Sequence, residues 1–297
     1  MPRSLASYST AEWLRLRPLS QAYKSALWDR IDRRYSAMPH IEPSVLEALH
    51  RRLDGRNFVA TIAWNSPWTI RWLLRFVAKN LSNATFLVAD NSSNPTARED
   101  VSALCSEFGA AYVRLPPNPY AAGNHPSRSH GLALNWVYRH VVRRLEPEAW
   151  GFFDHDLYPT APFDPAERLR GQPLYGHLEQ RRGGAYLWPG YALYSSKADV
   201  EEPLDFRQDW FLGLDTGGMG ARLIARHRSR ASLAFARTRS IGPDRNFAVT
   251  IDDLDWLDDC VHLGNASGWL KPNSGREEAL DALLERVLAG DLKGPFG

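Results

Sequence analysis

Residues 58–64 have the sequence Phe-Val-Ala-Thr-Ile-Ala-Trp, a short apolar run with β-branched side chains. The turn-forming residues Asn65-Ser66-Pro67 end this run, and a run of this kind is typical of a buried strand. From Trp68 to Asn80 the apolar residues recur at helical spacing instead. This stretch therefore predicts a strand followed by a helix.

The same alternation continues along the chain. Further strands are predicted at residues 85–90, 111–115 and 150–154, and further helices at 95–109 and 129–145. Short connections between strands and helices favour parallel strands joined by right-handed crossovers. The predicted fold class is α/β, with a Rossmann-like, mostly parallel sheet that is flanked by helices.

The flanks of this region have different patterns. Residues 1–56 carry apolar stripes at helical spacing and predict a helical extension. After residue 157 the pattern is less regular, and we expect a hairpin over 174–194 and an amphipathic helix over 276–290. The predicted parts of the chain are an N-terminal helical extension, a main domain and a C-terminal helix, at residues 1–56, 57–275 and 276–297.

Composition argues against several classes of protein. The 297 residues include 36 basic and 34 acidic side chains, so we expect no concentrated basic face and no nucleic-acid partner. Cys105 and Cys260 match no metal or redox spacing, which indicates buried thiols in a reducing compartment. No apolar run has the length of a membrane span, and no signal-peptide pattern is present. We expect a cytoplasmic protein, with peripheral membrane contact and assembly into a homo-oligomer left open.

Asp154-His155-Asp156 follows the fourth predicted strand. Residues two apart in an extended chain point to the same side, so the two carboxylates are expected to lie together with His155 as a spacer. Neighbouring carboxylates repel each other unless a cation lies between them, and hard oxygen ligands suit Mg²⁺ or Mn²⁺. The alternative interpretation is a solvated turn, and the triplet alone does not choose between the two.

Polar residues also follow the other predicted strands. Ligands of parallel sheets bind outside the carboxyl ends of the strands, where Asn65, Asp90 and Asn91 are found. Asp90 could bind a nucleotide or form an Asx turn with Asn91. No glycine-rich turn follows the first strand, which argues against a dinucleotide-dependent dehydrogenase.

Together these segments resemble a GT-A fold glycosyltransferase, closest to the family 2 type. The resemblance covers roughly residues 57–269 and depends on four segments in order: TIAWN at 61–65, VADNSS at 88–93, Asn124 with SHGLALN at 129–135, and FFDHD at 152–156. It implies a GT-A type of sheet in which residues 57–156 bind the nucleotide and residues 157–275 bind the acceptor.

The resemblance also implies an activity. The chain would be a metal-dependent, hexosyltransferase-type enzyme that moves a sugar from a nucleotide-diphosphate sugar to an acceptor hydroxyl. Inversion is the expected stereochemical outcome, and the sequence leaves retention open as the alternative. Mn²⁺ or Mg²⁺ would be the cofactor, and a saccharide or a lipid-linked molecule would be the acceptor. The acidic pair that often carries the base in inverting members is not obvious in this sequence.

Roles follow from the resemblance position by position. The donor-binding candidates are Asn65, Asp90, Asn91, Asp154 and Asp156. The metal-ligand candidates are Asp154, Asp156 and His262. Asp215 is the candidate base, and its alternative role is to cap a following helix. The candidates for acceptor binding are Glu179, Trp188, Tyr191 and Asp209, although the aromatic residues also suit a half-buried hairpin.

Two other functions stay open at the level of sequence. A nucleotidyltransferase can share this type of sheet and its metal chemistry, but we would expect a glycine-rich, basic phosphate loop after the first strand. A non-catalytic nucleotide-sugar-binding protein would keep the donor site and lack turnover. Product analysis separates these functions from sugar transfer.

Overall fold

The helices and strands follow the predicted alternation. The computed structural model describes residues 5–40, 42–121, 125–198, 203–230, 233–240, 252, 254–264 and 276–296. Its α-helices are α1 (Thr10–Leu14), α2 (Arg17–Ser36), α3 (Pro43–Leu53), α4 (Pro67–Asn80), α5 (Pro95–Glu107), α6 (Pro126–Val137), α7 (Arg143–Leu145), α8 (Pro165–Leu169), α9 (Ala221–Arg230) and α10 (Arg276–Ala289). Its strands are β1 (Phe58–Ala63), β2 (Thr85–Asp90), β3 (Ala111–Arg114), β4 (Ala149–Phe153), β5 (Leu157–Pro159), β6 (Leu174–Arg181), β7 (Gly184–Ser195), β8 (Thr238–Arg239), β9 (Asp255–Leu257) and β10 (Cys260–His262).

The central sheet has six strands in the order β3-β2-β1-β4-β7-β6. β1 pairs in parallel with β2 and with β4, and β2 pairs in parallel with β3. The hairpin β6–β7 joins β4 in the antiparallel direction. This confirms the predicted α/β fold, with a Rossmann-like, mostly parallel sheet, flanking helices and an N-terminal helical extension.

Both faces of the sheet are covered, so every residue of β1 is buried. One apolar core contains Leu73 of α4, Val101 of α5 and Leu284 of α10. The core on the other face contains Leu53 of α3 and Trp136 of α6. The continuous apolar sequence of β1 reflects this two-sided burial.

A second sheet has the strand order β5-β10-β9-β8, and all of its pairs are antiparallel. β5 follows β4 after only three residues, so the chain passes from the central sheet directly into this small one. In the pairing of β10 with β5, His262 lies opposite Leu157. This register brings a distant part of the chain to the end of β4.

The N-terminal extension is held to the main domain by a buried ion pair. Asp32 of α2 accepts a hydrogen bond from Arg128 of α6 (2.8 Å), and Arg207 donates to the same oxygen (3.1 Å). The Tyr120 hydroxyl donates to the other oxygen of Asp32 (3.1 Å). The guanidinium of Arg128 also lies 4.1 Å from the ring centre of Trp28 on α2. The extension therefore fixes the start of α6 and the loop at residue 120.

We expect Asp32→Asn to lower the free energy of unfolding by about 3–5 kcal/mol, because it leaves the buried charge of Arg128 without its partner. Asp29→Asn is the matched control, since Asp29 lies on the same helix and also binds Arg207 (3.0 Å). The side chain of Asp29 is 49% exposed, against 2% for Asp32, so the control should cost about 1 kcal/mol or less. Urea unfolding measures both values, and equal losses would contradict this account of the ion pair.

Two expectations from composition can be compared with the structure. Cys105 and Cys260 are both buried and free, and burial raises the pKa of the Cys105 thiol to about 12. In the part of the chain that the structure describes, no helix has both the length and the apolar character that a membrane crossing would need.

Candidate active site

A cavity of about 350 Å³ lies at the carboxyl ends of β1 and β4. Acidic, imidazole and aromatic side chains line it, among them Asp154, His155, Asp156, His130, Trp188 and Asp215. These residues come from four separate regions of the chain. The position agrees with the general rule that parallel sheets bind ligands outside the carboxyl ends of their strands.

The acidic triplet forms a turn between β4 and β5. The Leu157 amide donates to the Asp154 carbonyl (3.1 Å), and the Asp154 amide donates to the Gly190 carbonyl on β7 (2.8 Å). The predicted extended conformation is therefore wrong, because the chain leaves the central sheet at this point and enters the second one. The turn still brings together one ligand atom each of Asp154, His155 and Asp156, all within 4.8 Å of one another.

His262 lies against this turn. Its Nε2 is 3.2 Å from Oδ1 of Asp156, and its Nδ1 is 3.8 Å from Oδ2 of Asp255. Burial would lower the pKa of His262, but the Asp156 carboxylate, with help from Asp255, outweighs burial and raises this pKa to about 10. The electrostatic potential at this position therefore strongly favours a positive charge.

The donor groups at this position fit a divalent cation. Asp154 and Asp156 supply carboxylate oxygens, which Mg²⁺ and Mn²⁺ both accept. His155 offers an imidazole nitrogen within the cluster, and imidazole ligands favour Mn²⁺ over Mg²⁺. His262 is not among the residues that line the cavity, but its ring lies against Asp156. Asp255 lies behind His262, where a carboxylate commonly orients a metal-bound histidine.

The imidazole of His155 was expected to be a spacer, but it lies in the cluster with the two carboxylates. Its Nδ1 is 3.3 Å from the Ile62 carbonyl at the end of β1. The only sequence signal for this placement was its position between two acids.

His130 is a site residue for which the sequence gave no role. It lies on α6 and lines the cavity. Burial lowers the pKa of His130, against the opposing effect of Asp154. A neutral imidazole can donate one hydrogen bond and accept another, so His130 can bind a polar group of a ligand. The sequence signal that could have identified His130 was its position in residues 129–135, one of the four segments on which the family resemblance depends.

Asp215 lines the same cavity. Its Oδ1 accepts a hydrogen bond from the Thr216 amide (2.7 Å), and its Oδ2 is 3.8 Å from Nη2 of Arg181. The N-cap position of the turn that follows is occupied by Gly217, and α9 begins only at Ala221. Helix capping therefore does not account for this carboxylate.

Trp188 on β7 is the predicted acceptor residue that lines the cavity. Its ring makes edge-to-face contacts with two histidines. The ring centroids are 5.0 Å apart for His262 and 5.9 Å apart for His177. An aromatic ring in such a position can pack against the apolar face of a sugar.

The other predicted acceptor residues are not among those that line the cavity. Glu179 accepts a hydrogen bond from Arg181 (3.0 Å) on the exposed end of β6. Tyr191 is fully buried, and its hydroxyl donates to Asp258 (3.3 Å). Asp209 is also buried and accepts from two backbone amides in its own loop.

The predicted donor-binding residues of β1 and β2 divide into two groups. Asn91 lines the cavity, its amide donates to Ser129 (3.2 Å), and its buried Oδ1 has no hydrogen-bond partner among the described residues. Asp90 is fully buried and accepts from the Ser92 amide (2.8 Å) and from the Tyr112 hydroxyl (2.9 Å). It therefore forms an Asx-type turn beside the cavity and does not line it.

Asn65 has a left-handed backbone (φ 47°), which asparagine tolerates better than most residues. Its side-chain oxygen accepts from the amides of Ser93 and Asn94, both at 2.9 Å. Asn65 therefore holds the loop that follows β2. Asn124, one of the residues on which the sequence resemblance depends, lies outside the described residues, and so do residues 265–269.

We expect His262→Ala to weaken Mn²⁺ binding by at least about 10–100-fold, because the loss of even an outer partner of a metal ligand commonly has that effect. His177→Ala is the matched control, since His177 also packs against Trp188 but pairs with Glu179 (3.2 Å) and not with Asp156. Calorimetric titration with Mn²⁺ measures both variants. Equal affinities for the wild type and His262→Ala would exclude His262 as a ligand.

Comparisons with known proteins add likenesses of fold. No family model matches the sequence, and a search of curated proteins also finds no match. Among solved structures, TarS of S. aureus is similar at 14% identity over 58% of this chain and 34% of that chain, with a TM-score of 0.37. The bifunctional glycosyltransferase WbbM is similar at 12% identity over 48% of this chain and 32% of that chain, with a TM-score of 0.35.

Glucosyl-3-phosphoglycerate synthase from Mycobacterium tuberculosis, in complex with phosphoglyceric acid, is similar at 17% identity over 54% of this chain and 64% of that chain, with a TM-score of 0.33. A structure of the same synthase with Mn²⁺, uridine diphosphate and glucosyl-3-phosphoglycerate is also similar. The matches span about a third of the lengths of TarS and WbbM. Such distant likenesses assign no function to this chain, so the function rests on the residues of the cavity.

Proposed function

We propose that this chain is a metal-dependent glycosyltransferase that moves a sugar from a nucleotide-diphosphate sugar to an acceptor hydroxyl. One observation carries the proposal: Asp154, Asp156 and Asp215 line a single cavity of about 350 Å³ at the carboxyl ends of parallel strands. Sugar transfer needs charge neutralisation at the leaving diphosphate and a base at the attacking hydroxyl. The paired carboxylates suit the first task and the separate one suits the second.

Asp154, Asp156, His155 and His262 would hold Mn²⁺ or Mg²⁺. When bound there, the cation supplies positive charge to the diphosphate and so stabilises the leaving group. Asp255 would keep the imidazole of His262 in its binding orientation. His130 lines the same cavity and can donate a hydrogen bond to a ligand there.

The donor nucleoside would occupy the side of the cavity formed by Asn91. Its unpartnered amide oxygen can accept a hydrogen bond from a base or a ribose. Asn65 and Asp90 support this side because they fix the loop that follows β2. Asp154 is the further candidate for contact with the ribose.

The acceptor would enter between Trp188 and Asp215. Asp215 removes the proton from the acceptor hydroxyl while the oxygen attacks the anomeric carbon. The bond from that carbon to the diphosphate breaks, and its electron pair leaves with the diphosphate. Attack from the side opposite the leaving group inverts the anomeric configuration. The acceptor is a saccharide or a lipid-linked hydroxyl compound.

A thermal-shift screen of nucleoside diphosphates and their sugars, with and without Mn²⁺, tests this function. A ligand at a hundred times its Kd adds about 2.7 kcal/mol of stability and so becomes visible. We expect at least one diphosphate to stabilise the protein only when Mn²⁺ is present, and its sugar to be slowly hydrolysed. Metal-independent or absent stabilisation would contradict the proposal. Pyrophosphate release from a nucleoside triphosphate and a sugar phosphate would favour a nucleotidyltransferase instead.

A further inference from the structure

The N-terminal helices expose a concentration of large apolar side chains. Nine such side chains are exposed in the described chain, and seven of them are Leu5, Trp13, Leu14, Leu16, Leu19, Tyr23 and Leu27. The exposed fractions reach 81% for Leu14 and 70% for Tyr23. Isolated exposed apolar residues are normal, but a contiguous group of them marks an interaction site.

On α2 the apolar residues share one face with two arginines. The spacings between successive members of this face are four, four, three and four residues, and the members are Leu19, Tyr23, Leu27, Arg30 and Arg34. Side chains at these spacings lie along one side of a helix. All five are exposed, and we call this surface the outer face of α2.

The opposite face of α2 is fixed to the main domain. Asp32 and Tyr35 are buried there, and the Tyr35 hydroxyl donates to the Pro116 carbonyl (3.3 Å). Trp28 lies against Arg128 of α6. The helix therefore cannot turn its outer face inward without breaking these contacts, so the outer face remains exposed in the folded chain.

The corner between α1 and α2 extends the apolar surface. Leu16 occupies the N-cap position of α2 with a left-handed backbone (φ 51°), a conformation that costs energy for a leucine. Leu16 precedes Leu19 by three residues, so it lies one turn before the start of the outer face. Leu14, at the end of α1, is exposed beside this corner.

The charges of the outer face are all positive. Neither Arg30 nor Arg34 forms an ion pair within the described part of the chain. The acids of α2, Asp29 and Asp32, are both bound to Arg207 away from this face. The complementary surface is therefore one that accepts apolar side chains and carries negative charge.

We propose that the outer face of α2, together with Leu14 and Leu16, docks this chain on an anionic membrane surface. The apolar side chains enter the boundary between head groups and acyl chains, while Arg30 and Arg34 bind lipid phosphates. A symmetric contact with a second copy would bring the same arginines into the interface and provide no carboxylate to pair with them. The docking does not depend on the proposed activity.

Co-sedimentation of the full chain with vesicles tests the proposal. We expect binding to vesicles made of equal parts of phosphatidylcholine and phosphatidylglycerol, weaker binding at high salt, and little binding to phosphatidylcholine alone. The variant L19S/Y23S/L27S should lose detectable binding. The variant R30Q/R34Q should bind about 30-fold more weakly, since each basic residue near an anionic surface contributes about a factor of five.

The matched control is V45S/L212S, because Val45 and Leu212 are exposed apolar residues elsewhere on the protein. It should bind as the wild type does, and all variants should keep the wild-type unfolding midpoint. The proposal is overturned if the wild type does not bind anionic vesicles, or if L19S/Y23S/L27S binds as well as the wild type. A different outcome is that the wild type forms a dimer and does not bind vesicles, and that only L19S/Y23S/L27S loses the dimer. In that case the partner of the outer face would be a second copy of the chain. Mn²⁺-dependent nucleotide binding by L19S/Y23S/L27S should be unchanged, which separates this test from the proposed function.

Discussion

Asp156→Asn is expected to lower kcat by at least about 10²–10³-fold and to remove the effect of Mn²⁺ on nucleoside-diphosphate binding. Asp156 is buried, shares a 4.8 Å cluster with Asp154 and His155, and lies 3.2 Å from His262. Asparagine keeps the shape of the side chain but removes the negative charge that a divalent cation needs. Calorimetric titration with a nucleoside diphosphate, with and without Mn²⁺, measures the binding, and donor turnover measures kcat.

Asp164→Asn is the matched control for this substitution. Asp164 is also a buried carboxylate, but it caps α8 away from the cavity by accepting from the Ala166 and Glu167 amides. Asparagine is a good N-cap, but it loses the bond that the second oxygen of Asp164 accepts from Asn83 (2.7 Å). This variant should therefore lose about 1 kcal/mol of stability and keep its Mn²⁺-dependent binding. If Asp156→Asn still binds the diphosphate with the Mn²⁺ dependence of the wild type, the metal assignment is wrong. Equal losses in the two variants would indicate a general effect on folding.

The central sheet could be predicted from the sequence because its signals are local. β1 to β4 begin and end within one residue of their predicted bounds, since apolar strands and amphipathic helices have different periods. The second sheet gave no such signal. Its strands β5, β9 and β10 have three residues each, and the pairing of β5 with β10 joins segments that are far apart in the sequence.

The position of His262 relative to the acidic triplet depends on that non-local pairing. His262 could be proposed only from the family resemblance, and the structure shows that the register of β10 on β5 places it beside Asp156. The turn at residues 154–157 could not be separated from an extended strand by pattern alone. His155 therefore was expected to point away, although the turn brings its ring into the cluster.

Of the four predicted acceptor residues, only Trp188 is among the residues that line the cavity. For Tyr191 the sequence itself contains the reason. Trp188 and Tyr191 are three residues apart on β7, and side chains three apart in a strand point to opposite faces. Trp188 lines the cavity, while Tyr191 packs in the core against Phe153 at a ring distance of 5.9 Å. Strand alternation would have predicted that only one of the two could reach an acceptor.

The N-terminal extension contains none of the candidate site residues, yet it supports the site. Asp32 binds Arg128 at the start of α6, and Tyr120 of the same cluster lines the cavity. The Thr216 hydroxyl donates to the Ser127 carbonyl (3.1 Å), which ties the loop of Asp215 to the same end of α6. The extension therefore stabilises the wall on which the candidate base lies.

Asp215→Asn is expected to lower kcat by about 10²–10⁴-fold, the usual contribution of a general base, and to leave the affinity for the donor nearly unchanged. Asp215 lines the same cavity as the acidic triplet, and its side chain is 40% exposed, which keeps its carboxylate accessible to an acceptor. Asparagine can still accept the hydrogen bond from the Thr216 amide, so the loop should keep its conformation. Comparison of kcat with the donor KM and with the calorimetric donor affinity measures the two effects separately.

Asp209→Asn provides the control on the same loop. Asp209 is buried, does not line the cavity, and accepts from the Phe211 and Leu212 amides, which an asparagine oxygen can also do. This variant should turn over like the wild type. Unchanged turnover in Asp215→Asn would exclude Asp215 as the base, because an asparagine amide cannot take up the proton of the acceptor hydroxyl. A parallel loss of donor affinity would instead place Asp215 in donor binding, and the acceptor would have to enter from a different side of the cavity.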